Sequence, residues 1–369
     1  MIKKFGEFIN EGFWKDSIKR AKDNTIRIGE ILRPQNEPEL VEILKERLKT
    51  NKDANLNDID VSNVRVMDNL FEGLDPHNIK IDKWDVSGTV YMNNMFVNCR
   101  NLVCDISNWD VSNVTQMANM FANCYKFNCD LSRWVVSNVE DMQGMFMHCK
   151  EFNCDLSKWW TKKCKRMNLM FYDCKKFNAD LSNWETKNVT TMGHMFLSSN
   201  YTGDLSKWNT RYVRNFTGMF KDCPDFEGDL SNWNTSKATK MSDMFNGCEK
   251  FNSDLSNWDV SNVKEMTRMF EHCESFNSDI SNWDVSNVEK MGDMFRGAKS
   301  FNQDISNWNV HRVKNMSSMF SYATSFNQDL NKWNPNNKCI VGYDLFRLTQ
   351  IEDVPDWYDK RNGKVKYRI

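Results

Sequence analysis

The residues with the most obvious capacity for chemistry are the cysteines and a long series of aspartates. Cys99, Cys124, Cys149, Cys174, Cys223, Cys248 and Cys273 recur at one position of a repeating pattern, where Ser199, Ala298 and Ala323 stand in other copies. Cys104, Cys129 and Cys154 make a second, shorter column. Stacked neighbours would lie near disulfide distance, so a redox or metal role has to be weighed. A string of seven cannot pair evenly, and no Cys-x-x-Cys or Cys/His spacing suits zinc. Exchange with Ser and Ala instead marks a small buried site, which a reduced thiol fills well. Asp105, Asp130, Asp155, Asp180, Asp204, Asp229, Asp254, Asp279, Asp304 and Asp329 each precede a tryptophan by four residues. Stacked carboxylates can bind Ca²⁺, but the Gly-rich nonapeptide of calcium β-rolls is absent. An aspartate at a turn more commonly accepts local backbone N–H bonds. His77, His148, His194, His272 and His311 form no helical metal pair, and no nucleophile motif or phosphate-binding Gly-rich loop is present. No acid–base–nucleophile set breaks the repetition, so catalysis, a metal and a cofactor are not expected.

The elements that carry these residues follow from the period. Trp84, Trp109, Trp134, Trp159, Trp184, Trp208, Trp233, Trp258, Trp283, Trp308 and Trp333 are spaced by 25 residues, with one step of 24. A fixed period of this size means stacked units, none able to bury its apolar face alone. Val-x-x-Met-x-x-Met-Phe puts apolar residues at i, i+3, i+6 and i+7, the face of a short helix. Ser137-Asn-Val-Glu140 and Ser286-Asn-Val-Glu289 before it have the form of a capping box. The Phe-Asn-x-Asp-Leu-Ser-x-Trp-Asp-Val half suits a short strand. The expected fold is thus an α/β solenoid of about twelve strand–helix repeats of ~25 residues.

Domain organisation follows the same pattern. Residues 1–36 read as an amphipathic leader with Phe5, Phe8, Ile9 and Trp14 at helical spacing. Residues 37–58 read as a capping helix that covers the first coil, since an open ladder edge invites association. The repeats occupy 59–335, and 336–369 form a C-terminal cap. Hydrophobic residues make up 40% of the chain, enough for a core. The net charge of −1 gives no global attraction to nucleic acid or acidic membrane. No apolar run reaches the ~18 residues of a membrane span, and Met1 to Gly6 lacks the apolar region of a secretory signal. A cytoplasmic or virion-associated monomer with reduced cysteines is expected, associating only if its ladder ends pair.

The unit Phe251-Asn-Ser-Asp-Leu-Ser-Asn-Trp-Asp-Val-Ser-Asn-Val263, continued by Met266 and Met269-Phe270, resembles the BspA-like leucine-rich-repeat surface proteins, the DUF285 repeat family. The resemblance covers roughly 59–335. It implies a right-handed leucine-rich-repeat-like solenoid, adhesion or protein recognition, and no catalytic residues. The N-terminus, Met1-Ile-Lys-Lys-Phe-Gly-Glu-Phe-Ile-Asn-Glu11, resembles leaders of large tailed-phage proteins, which implies a packaged virion protein cut after Glu30 in Ile28-Gly29-Glu30.

Departures from the repeat cluster in one region. The residue after Trp is usually Asp, Glu or Asn, yet it is Val135 and Trp160 in adjacent coils. Val-Ser-Asn becomes Thr161-Lys162-Lys163, then Thr186-Lys-Asn188, then Thr210-Arg211-Tyr212. From Lys158 to Lys176 there are seven basic residues against Asp173 alone. An apolar step beside a basic patch is the form of a partner site. The candidate binding residues are Val135, Trp160, Lys162, Lys163, Lys165, Arg166, Arg211 and Tyr212. The partner class is protein. One exposed aromatic with basic charge is too little for nucleic acid.

Overall fold

The structure, a computed structural model, describes residues 31–34 and 36–366. Among them the regular elements are one helix, α1 (Glu37–Thr50), and two short strands, β1 (Tyr358–Asp359) and β2 (Lys364–Val365). The strand–helix alternation of an α/β solenoid is therefore not what these repeats form. They are coils of turns joined by isolated parallel bridges, each one repeat from the next: Tyr91 to Gln116, Gln116 to Asp141, and onward to Asn315 with Ile340.

The physical reason lies in how the backbone amides divide their bonds. An α-helix needs consecutive N–H groups donating to the carbonyl four residues back. Here the N–H groups of Met117, Asn119, Phe121 and Asn123 donate to Asp141, Gln143, Met145 and Met147 in the next coil at 2.7–3.0 Å. The alternate amides of Met120, Ala122 and Cys124 close turns onto Met117, Asn119 and Phe121 at 3.0–3.3 Å. Asn119 and Asn123 have φ of +54° and +63°, the left-handed region that interrupts any helix. The same two positions are left-handed in other coils, as at Gly144 and His148 or Asp293 and Gly297. The expected strand is likewise two turns. The Trp258 N–H bonds the Leu255 carbonyl at 3.1 Å, and Asp254 Oδ1 accepts the Ser256 N–H at 2.9 Å. Glu140 does not reach back as a helix cap, because Lys165 Nζ in the next coil holds its carboxylate at 2.8 Å.

Side-chain columns fill the interior. Trp258 and Trp283 stack with centroids 6.4 Å apart and planes within 3°, and Phe245 and Phe270 stack at 5.7 Å. Both columns are buried together with the Met and Val positions. Each buried indole needs a partner for its N–H, and finds it in a carbonyl of the coil before. Trp109 donates to Ile81 at 3.0 Å and Trp283 to Leu255 at 3.0 Å. The 24-residue coil absorbs its missing residue at Ser199-Asn200-Tyr201, where other coils have Cys-x-x-Phe. Tyr201 takes the phenylalanine's place against Phe196, at 4.4 Å.

The ends differ from the repeats. Asn36 Oδ1 caps α1 by accepting the Glu39 N–H at 3.1 Å, and acidic Glu37 and Glu39 begin the helix while Arg47 and Lys49 end it, matching its dipole. Leu40, Ile43, Leu44 and Leu48 are its buried side. At the other end Trp357, before the β1–β2 pair, adds a final indole to the column and donates to the Leu330 carbonyl at 2.8 Å.

Candidate functional site

The position after each column tryptophan faces solvent and normally has a local task. Asp110 Oδ1 accepts the Ser112 N–H at 3.0 Å, Asp259 that of Ser261 at 3.0 Å, and Asn209 that of Arg211 at 3.2 Å. Such Asx turns fix the corner of the coil. Val135 and Trp160 can accept nothing, and their side chains stand 54% and 56% exposed in successive coils. Large apolar groups there leave the turn without its acceptor.

Beside them runs the basic region. Lys162, Lys163, Lys165, Arg166, Arg211 and Tyr212 are all exposed. Two of the cations are matched within the stack, Lys165 to Glu140 at 2.8 Å and Arg166 to Asp141 at 2.7 Å. Lys163 Nζ donates to Asn138 Oδ1 at 2.7 Å. The Arg211 guanidinium lies 5.6 Å from the Tyr212 ring centre. Lys175 and Lys176 belong elsewhere, with Lys175 paired to Asp173 at 3.5 Å and Lys176 to Glu151. The Val-to-Thr changes face the core. Thr161, Thr186, Thr210 and Thr235 are buried, and their hydroxyls donate to carbonyls of the following coil at 2.9–3.1 Å.

Three cations near this face escaped the sequence reading: Arg214, Lys237 and Lys240, all exposed. Arg214 and Lys237 line a groove of about 390 Å³ with Lys165, Asn188, Thr190 and Tyr212. The signal was available in the columns, since Lys237 interrupts the Asn position held by Asn262 and Asn287. A second groove of about 350 Å³ includes Lys207 and Arg211. The suggested processing site Glu30 lies outside the described residues.

The columns of chemically active residue types have structural tasks. The Sγ atoms of Cys124, Cys149, Cys174, Cys248 and Cys273 approach a phenylalanine carbonyl of the preceding coil at 2.8–3.0 Å, so each thiol is a small buried donor. Burial pushes Cys164 up to about 12 and Cys223 up to about 11, which keeps both neutral and weakly nucleophilic. Cys154 Sγ accepts the Leu131 N–H at 3.0 Å, as Ser253 Oγ accepts that of Leu230 at 2.9 Å. The aspartates before Trp are turn acceptors, Asp155 for Ser157 at 2.9 Å and Asp279 for Ser281 at 2.9 Å. Backbone hydrogen bonds from those serines hold both carboxyls below their usual range. His148 Nδ1 lies 3.0 Å from Asp173, and burial lowers His194 below the usual imidazole value.

A stack of turn-built coils with aromatic columns inside and one irregular outer face defines a repeat protein. The chain belongs to the family described as Mycoplasma protein of unknown function, DUF285, whose model matches residues 40–159, 92–202, 130–223, 197–291 and 250–350. No curated protein matches the chain.

Proposed function

We propose that the chain is a non-catalytic binding protein that presents one long, rigid face of its repeat stack to a protein partner. Val135 and Trp160 support this most. In a column where most other coils place Asp or Asn and the next places Glu185, these two expose large apolar side chains in successive coils. Trp is the residue type most enriched among binding hot spots, and Lys162, Lys163 and Arg211 supply a charged rim. The recognition surface would run from Val135 through Trp160 to Tyr212.

Affinity purification from the cells that make the protein, comparing the natural chain with a Trp160→Ala/Lys163→Glu variant, tests this. The natural chain should retain a protein that the variant loses, with thermal unfolding of the two alike. Equal recovery by both would refute the assignment.

A second reading is a virion structural or packaged cargo protein trimmed after Glu30, resting on the Ile28-Gly29-Glu30 pattern, with which the first coil is compatible. Leu32 bridges Ile59 and its N–H donates to the Asp58 carbonyl at 2.8 Å, so cleavage at Glu30 would leave the first ladder contact in place. Intact mass of the protein in purified particles tests it: a chain beginning at Ile31 supports this reading, and an intact Met1 opposes it.

A further inference from the structure

Some surface cations of the stack are neutralised by the neighbouring coil and others are left free to meet a ligand. Several surface cations are matched to a carboxylate one coil away: Lys290 to Glu265 at 3.3 Å, Lys299 to Glu274 at 2.6 Å, Lys250 to Asp225 at 2.7 Å, and Arg268 to Asp243 at 2.9 Å. Position by position, Arg214 has Thr190 in the coil before it and Thr239 in the coil after, while Lys237 has Tyr212 and Asn262. Neither cation has an ion pair among the described residues, although both are exposed.

These two cations line the same groove, together with Lys165, Asn188, Thr190 and Tyr212. The polar wall groups are already tied into the ladder. Asn188 Nδ2 donates to the Lys162 carbonyl at 2.8 Å, and the Thr190 hydroxyl donates to the Lys165 carbonyl at 3.1 Å. What remains to meet a ligand is positive charge and one aromatic face.

We propose that this groove holds an extended acidic segment of the partner protein, with carboxylates on Arg214 and Lys237 and the chain laid across Tyr212. The proposal rests on the reading of this face as protein-binding and specifies the partner's chemistry. The length of the groove suits a short extended peptide. From the coil of Lys165 to that of Lys237 is three coil steps, roughly 14 Å at ~4.8 Å each, which four or five extended residues span. Trp160, in the coil of Lys165, and Val135, one coil before it, suit apolar side chains that a peptide has and a phosphate backbone lacks.

The test uses the full chain and three fluorescein-labelled probes, octaglutamate, octaglutamine and a twelve-residue oligo-dT, followed by anisotropy at low salt. Octaglutamate should bind, octaglutamine should not, and Arg214→Glu/Lys237→Glu should weaken octaglutamate about tenfold or more. Arg214→Gln/Lys237→Gln should give a smaller loss, and Lys314→Gln, outside the groove, none. Neither groove cation has an ion pair to lose, so the unfolding midpoint should stay unchanged. Absence of octaglutamate binding, equal binding by the charge-reversed variant, or tighter binding of oligo-dT through the same residues would overturn the proposal. If octaglutamate fails while Trp160-dependent capture persists, this proposal falls and the wider reading stands. If Trp160→Ala leaves capture unchanged, the wider reading falls by itself.

Discussion

The indole N–H of Trp258 donates to the backbone carbonyl of Leu230 at 3.0 Å, across the boundary between two coils. The same side chain stacks on Trp233 and Trp283 at 6.4 Å each. One residue therefore joins three coils by packing and by a buried hydrogen bond. Trp258→Ala should cost about 3–5 kcal/mol, the range for truncating a buried aromatic. Trp258→Phe keeps much of the packing but removes one of two hydrogen bonds to the Leu230 carbonyl, which still accepts the Trp233 backbone N–H at 3.1 Å, and should cost about 0.5–1.5 kcal/mol. Denaturant unfolding measures both, and hydrogen exchange should place the loss in the coils around residue 258.

Tyr201 is the converse case. Its ring is fully buried in the phenylalanine column, yet its hydroxyl has no hydrogen-bond partner among the described residues. The equivalent residues Phe177 and Phe226 need none. Tyr201→Phe should stabilise the protein by about 1–3 kcal/mol, the usual penalty of an unsatisfied buried polar group. An unchanged or lowered unfolding midpoint would mean that the hydroxyl is satisfied in solution.

The thiols should divide by exposure. Cys129 is partly exposed, while the other cysteines are buried, several with their protonated forms favoured by desolvation. Iodoacetamide labelling of the native protein, read by mass spectrometry, should modify Cys129 first. Rapid labelling of Cys149 or Cys273 would contradict their place in the core.

Acid should weaken the corners of the coils. Asp130, Asp155 and Asp254 are held below the ordinary aspartate value near 3.8, first by backbone hydrogen bonds from Ser132, Ser157 and Ser256. Their folded values lie below the unfolded one, so the stability they contribute is present above that ordinary value and lost as pH falls through the folded values. Replacing all three with Asn, which accepts the same turn bond without titrating, should flatten the fall in unfolding midpoint between about pH 4 and pH 2. An unchanged slope would place acid sensitivity elsewhere.

The period, the inward columns and the outward column of Val135 and Trp160 were legible in the sequence, because a 25-residue spacing repeats each environment. The local conformation was not. Apolar residues at i, i+3, i+6 and i+7 fit a helix, and fit equally a chain that turns every few residues and bonds to its neighbour coil. The distinguishing sign was the residue type between the apolar ones: Asn94, Asn119, Gly144 and Asp243 are good left-handed residues and poor helix interiors. Arg214 and Lys237 were missed for another reason. Each reads as an ordinary surface cation, and only the fold brings both to one groove.

The central claim is that the face around Trp160 contacts another protein. A photoreactive benzoylphenylalanine placed at Trp160, and in a separate chain at Asp284, the same column position outside the irregular region, tests it in the cells that make the protein. The account predicts a discrete protein cross-linked from position 160 and none from position 284. No cross-link at 160, or the same products from both positions, would contradict it.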